Sequence, residues 1–112
     1  MTRMHWIAAS LAAITGAIHL YLYATQAFLP FLFAGAVFFA AVGAMLVIPY
    51  GHLARRVLYA IGVPFTAGQI GLWVLAGTPD FALGVADKAV QIALIVALIY
   101  LFRMEMRDPT PR

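Results

Sequence analysis

The chain contains no cysteine. Disulfides, thiolate zinc sites and iron–sulfur clusters are thereby excluded, and cysteine usage carries no information about the redox state of its compartment. Charge is also scarce: Asp, Glu, Lys and Arg make up 10% of the 112 residues, against 65% hydrophobic, and the mean hydropathy is +0.98. A soluble domain of this size could not cover its surface with so few polar residues. No polar stretch is long enough to build a domain outside a membrane, so no water-exposed catalytic surface is expected. The net charge of +3 is spread over both ends of the chain and one short loop, which suits anionic lipid headgroups and not nucleic acid.

Four long apolar blocks are present instead, running from His5 to Tyr23, Ala27 to Ile48, Ala54 to Ala76 and Ala82 to Phe102. Each approaches the roughly 20 residues that a helix needs to cross the hydrocarbon core. The expected fold class is all-α, an integral membrane four-helix bundle, with a four-span domain over residues 1–103 and a short tail over 104–112. Short links make successive helices antiparallel. Six of the seven basic residues are Arg3, Arg55, Arg56, Arg103, Arg107 and Arg112, all on one side of such a bundle, and the connections around Gln26 and Asp80 carry none. By the positive-inside rule both termini are then cytoplasmic and the membrane is the plasma membrane. The first block has a basic start but no convincing small-x-small cleavage site, so it is read as a span and not a signal peptide.

Punctuation fits the same plan. A turn at Ala24-Thr25-Gln26 leads to Pro30 near the start of the second helix, Pro49-Tyr50-Gly51 ends that helix, and Thr78-Pro79-Asp80 caps the fourth. Pro64 lies inside the third block and predicts a kink there. The tail at Asp108-Pro109-Thr110-Pro111 predicts a frayed end. Small residues mark packing stripes, because helices in lipid associate through close backbone approach. Ala9, Ala12 and Gly16 form one on the first helix, Ala36, Ala40 and Gly43 another on the second, and Gly62 with Thr66 a third.

Once the topology is fixed, five polar residues far apart in sequence fall at one depth, in the outer third. These are His19, Gln69, Asp87, Lys88 and Gln91, with Thr66 and Trp73 on the face of Gln69. Ionisable groups in hydrocarbon are costly, so they pair or line a polar cavity. The cluster is read in two ways: a clasp fixing helix register, or a shallow pocket in which His19 and Asp87 handle a proton. A quinone or lipid ligand suits the second reading. His5 and His19 are fourteen residues apart, about 21 Å along a helix, a spacing that suits two stacked haems. The facing ligands are missing except for His52, so haem requires ligands from another subunit or is limited to one near His5 and His52. Methionines at the same end, Met1, Met4, Met45, Met104 and Met106, make Cu(I) with those histidines a further candidate. No nucleophile or metal set for catalysis is found, and no cofactor is expected beyond these haem and quinone candidates.

Chain length and four spans are similar to the small multidrug resistance transporters, but the essential glutamate of that family's first helix has no counterpart here, and its function is not carried over. The segments Gly16-Ala17-Ile18-His19-Leu20, Gly62 to Ile70 with Trp73, and Asp87-Lys88 with Gln91 resemble uncharacterised small four-span membrane proteins of halophilic archaea and actinobacteria. That resemblance covers most of the chain, including the polar cluster, and implies no activity. In hydropathy the chain also resembles DoxX-like four-helix membrane proteins, some of which are linked to respiratory quinol oxidation. The expected role is an accessory or interaction subunit of a larger membrane complex, or a homo-oligomer. The alternative is a small-molecule, quinone or lipid, or proton-linked binding or transport protein using the outer cluster. A haem-binding electron-transfer subunit is the third.

Overall fold

A computed structural model of the chain describes residues 3–47, 52–77 and 81–107. The expected helix end at Pro49-Tyr50-Gly51, the cap at Thr78-Pro79-Asp80 and the tail from Asp108 lie outside the described residues, as do Met1 and the side chain of His52. Four helices account for the regular structure: α1 (Arg3–Gln26), α2 (Leu29–Val47), α3 (His52–Leu75) and α4 (Phe81–Arg107). No strand occurs among the described residues. All four helices are long and apolar enough to cross a membrane.

Extensive contacts join α1 to α2, α3 to α4 and α1 to α4. The α1–α4 pair forms the spine. Its buried residues include Ala8, Ala9 and Ala12 on α1 and Leu94, Ala97, Leu98 and Leu101 on α4, alternating small with large side chains. Much of α2 and α3 is exposed, and large apolar side chains such as Phe33, Ile61, Leu72 and Val96 point outward. So much exposed apolar surface has no place in water and suits a lipid surround. α2 meets α3 through the edge-to-face rings of Phe38 and Phe65, 5.2 Å apart.

Helix ends follow local chemistry, with one departure from expectation. α1 runs through Ala24-Thr25-Gln26, where a turn was expected, and the reversal falls on Ala27 and Phe28. Thr25 donates back to the carbonyls of Tyr21 and Leu22 at 3.2 Å, which keeps its hydroxyl inside the helix. Ala27 takes a left-handed φ of 52°, and its N–H donates to Tyr23 O at 2.7 Å. This is the job glycine does in most such caps. Gly77, at φ 86°, does it after α3. Pro30 sits in the first turn of α2, where its missing N–H costs little. Pro64 lies within α3 without ending it. α4 continues through Arg107, so residues 104–107 are helical.

The packing stripes divide. On α1, Ala9, Ala12 and Gly16 are buried as expected. A Cβ on Gly16 would lie 3.1 Å from Phe38 and Phe39, and one on Gly35 would lie 2.7 Å from Leu20, so α1 and α2 approach at glycines. Gly62 similarly gives room to Leu98. The α2 stripe lies on the outside of the chain: Ala36 and Ala40 are exposed, and open space surrounds the position of a Cβ on Gly43. The side of α2 that packs within the chain carries Gly35, Phe38 and Met45 instead. Small-residue spacing reports where a helix can be approached closely, and α2 satisfies it on two faces.

Candidate functional site: a polar cluster under an apolar cavity

Buried polar groups gather at two places, named here after the histidine of α1 at each. At the His19 end, helical spacing puts Thr15 and His19 one turn apart on the α4-facing side of α1, and Asp87 and Gln91 one turn apart on α4. Thr15, Asp87 and Gln91 are almost completely inaccessible, His19 is 4% exposed and Lys88 9%. Asp87 is the hub. Its Oδ1 accepts from Thr15 Oγ1 at 2.6 Å, its Oδ2 accepts from Lys88 Nζ at 2.9 Å, and His19 Nε2 stands 3.9 Å from Oδ2. Gln91 Nε2 donates to Thr15 Oγ1 at 3.2 Å and to Gln69 Oε1 at 3.0 Å, which ties α3 to the network.

The tautomer of His19 follows from its partners. Nδ1 lies 2.7 Å from the carbonyl of Thr15, and a carbonyl only accepts, so Nδ1 carries hydrogen. In the neutral ring, Nε2 then presents a lone pair toward Asp87 Oδ2. Two acceptors face each other across 3.9 Å, too far for a hydrogen bond. A proton on Nε2 converts that gap into an ion pair. The rings of Phe31 and Phe38, centred 6.2 and 5.7 Å away, hold the imidazole from the α2 side.

Beside this cluster lies a cavity of about 430 Å³ between the four helices. His19, Gln69, Asp87 and Lys88 form its polar part, while Leu22, Phe28, Phe31, Leu72 and Trp73 supply apolar walls. It is within the size range of small-molecule sites, mostly apolar with a few convergent polar groups. Gly84 is required for its shape: a Cβ there would overlap the indole of Trp73. Two amide atoms of the cluster, Gln69 Nε2 and Gln91 Oε1, are buried without a hydrogen-bond partner. Such orphans are uncommon in native interiors.

The structure thus brings together His19, Gln69, Asp87, Lys88 and Gln91, with Trp73 on the cavity wall. Thr66 is buried but donates to Gly62 O of its own helix at 2.7 Å and takes no part in the network. Thr15 was missed by sequence reasoning. Its position, one turn before His19, was the available signal, but a lone threonine among alanines reads as packing.

The His5 end was missed as a network altogether. His5 Nε2 donates to Met45 O at 2.7 Å, so Nδ1 is the lone pair and accepts from the Tyr59 hydroxyl at 2.8 Å. The residue four positions after Met45 is Pro49, which has no N–H to give that carbonyl. His5 supplies the donor from another helix. Nearby, Glu105 on α4 accepts from Arg55 Nε, and its carbonyl accepts from Arg56 Nη2 at 3.0 Å. Both ring nitrogens of His5 are therefore engaged, and a haem or Cu(I) bond to it would displace one of these partners. Of the methionines grouped with it, Met45 is buried, whereas Met104 and Met106 are exposed. Among the described residues no group of three or more His, Cys, Asp or Glu side chains is placed to hold a metal.

No known protein family, curated protein or solved structure matches this chain.

Proposed function

We propose that this is a multi-pass plasma-membrane protein that binds a small lipophilic molecule in the cavity beside His19. The carrying observation is the cavity itself, an apolar space that ends on a cluster of ionisable groups. A clasp that only fixed helix register would gain by closing over these groups, since burying them without ligand or water costs free energy. The seam between α2 and α3 supports entry from the bilayer, because these two helices lack the extensive contact seen at the other neighbouring pairs. The test is binding of 1-aminoanthracene, a neutral fluorescent lipophile, to detergent-solubilised protein. Saturable binding to the wild type, abolished by Ala34→Trp on the cavity wall, is expected. Equal binding to both proteins counts against the cavity.

We also propose an antiparallel arrangement with both termini cytoplasmic. The arginine distribution supports it, as do the contacts that bring His5, Met45, Tyr59 and Glu105 to one end. A reporter fused after Arg112 should be active in the cytoplasm, and a tag near Gln26 should be reached from outside. The opposite labelling would reverse the orientation and put the cavity on the cytoplasmic side.

A second reading, as a homo-oligomer or an accessory subunit of a larger complex, is supported by the exposed Ala36 and Ala40 and by the open space at Gly43. Such a face lets another helix approach closely. The two readings are compatible, since this face of α2 carries neither Phe31 nor Ala34, which line the cavity.

A further inference from the structure

The composition of the cavity floor goes further than lipophile binding and selects a head group. We propose that the ligand is a long-chain carboxylic acid, held as the carboxylate by Lys88, whose binding puts a proton on His19. This rests on the cavity being a binding site.

Hydrogen-bond capacity gives the first argument. Asp87 already accepts from Thr15 and from Lys88, so a ligand that mainly donates meets an acceptor largely in use. Lys88 Nζ has three N–H bonds and directs one to Asp87. Gln69, also on the cavity, has a buried amide nitrogen without a partner. The spare hydrogens on the floor are thus chiefly those of Lys88, which suits a head group that accepts there; the spare lone pair of His19 Nε2 is turned toward Asp87. An amine would add a positive charge beside Lys88 and is disfavoured.

Charge balance separates an acid from a neutral acceptor such as a ketone or alcohol. With His19 neutral, Asp87 and Lys88 cancel. Adding a carboxylate leaves one negative charge uncompensated in an apolar site, which is costly. His19 removes that cost, because its Nε2 lone pair already faces Asp87 Oδ2. The O–H bond of the acid breaks, its proton forms an N–H bond at His19 Nε2, and the ligand carboxylate pairs with Lys88. Two ion pairs result, His19 with Asp87 and Lys88 with the ligand, and the net charge of the site remains zero. A ligand arriving already ionised draws the same proton from water. Among the described residues, the groups facing His19 are Asp87 and Lys88 from α4 and the uncharged rings of Phe31 and Phe38 from α2, with the neutral Gln69 on α3 across the cavity, and none of them adds a further charge to this count.

Decanoic acid and decan-1-ol, two probes of equal chain length, test the proposal by displacing 1-aminoanthracene from the detergent-solubilised protein. The acid should compete at about tenfold lower concentration, the size expected for one charge-assisted hydrogen bond. Calorimetry at pH 8 in two buffers of different ionisation heat counts protons. The wild type should take up close to one more proton per decanoate than His19→Gln does. Because the complex holds the extra proton, decanoate affinity should fall as pH rises above neutrality, by at most about tenfold per unit, and this dependence should flatten in His19→Gln. Lys88→Gln provides a second variant, in which the acid should lose its advantage over the alcohol. Equal competition by alcohol and acid, or equal proton uptake in wild type and His19→Gln, overturns the carboxylic acid while leaving the cavity as a binding site. Failure of 1-aminoanthracene itself to bind the wild type overturns both.

Discussion

The two ends of the protein are built from similar parts and end in opposite states. Each has a histidine on α1, a carboxylate on α4 and cationic side chains near it. At the His5 end both imidazole nitrogens are engaged, one by Met45 O and one by Tyr59 Oη, and Glu105 is bound by Arg55 and Arg56. At the His19 end one nitrogen is committed to Thr15 O, while the other faces an acceptor that it cannot bond without gaining a proton. The first arrangement fastens helices. The second leaves one nitrogen without a hydrogen bond, beside an adjoining cavity. What separates the two histidines is the occupancy of the second nitrogen, because both are 4% exposed.

Three substitutions test this contrast. The largest effect is expected at the hub of the His19 end. Asp87→Ala removes the acceptor of Thr15 and Lys88 and leaves a buried ammonium unpaired, at a cost of about 3–5 kcal/mol. Denaturation in mild detergent should show a large fall in midpoint, and Asp87→Ala combined with Lys88→Ala should recover part of it. A midpoint unchanged by Asp87→Ala would mean that the cluster stabilises nothing and that the contrast is drawn in the wrong place.

At the His5 end the expected loss is smaller. Tyr59→Phe deletes one donor to His5 and should cost about 1 kcal/mol, with 1-aminoanthracene binding unchanged because Tyr59 is remote from the cavity. If binding weakened along with stability, the ends would be coupled and could not be assigned separate roles. The smallest effect tests the turn between α1 and α2. Ala27 sits at φ 52°, where glycine avoids a steric cost of about 1–2 kcal/mol but loses more chain entropy on folding. Ala27→Gly should therefore raise the midpoint slightly, while a clear drop would show that the methyl group is needed near the cavity mouth.

The four helices were legible in hydropathy because lipid demands long apolar runs. The meeting of His19 with Gln69, Asp87, Lys88 and Gln91 was legible too, because an apolar span makes every polar residue conspicuous and topology fixes its depth. What could not be read was direction. Around α2 nearly every side chain is apolar, so nothing in the pattern distinguishes the face toward α1 from the outward face that carries Ala36 and Ala40. Thr15 and Tyr59 escaped notice for a related reason: each has an apolar reading, as a small packing residue and as an interfacial aromatic. Their roles depend on a partner 72 and 54 residues away, a separation that local spacing does not encode. Glu105 lies beyond the end of the apolar run, where the pattern gives no sign of the two arginines that hold it on a helix continuing to Arg107.

Between the two ends, Ala8, Ala9 and Ala12 close against Leu94, Ala97 and Leu98. This layer acts electrically as an insulator. Among the described residues no buried hydroxyl or imidazole lies in it between Thr15 and His5, so no hydrogen-bonded chain joins the two ends through the layer. On the binding reading proposed above, a proton taken up at His19 would then exchange with one side of the membrane only. A proton wire would need polar groups through this layer; the packed alanines and leucines put a dielectric there instead.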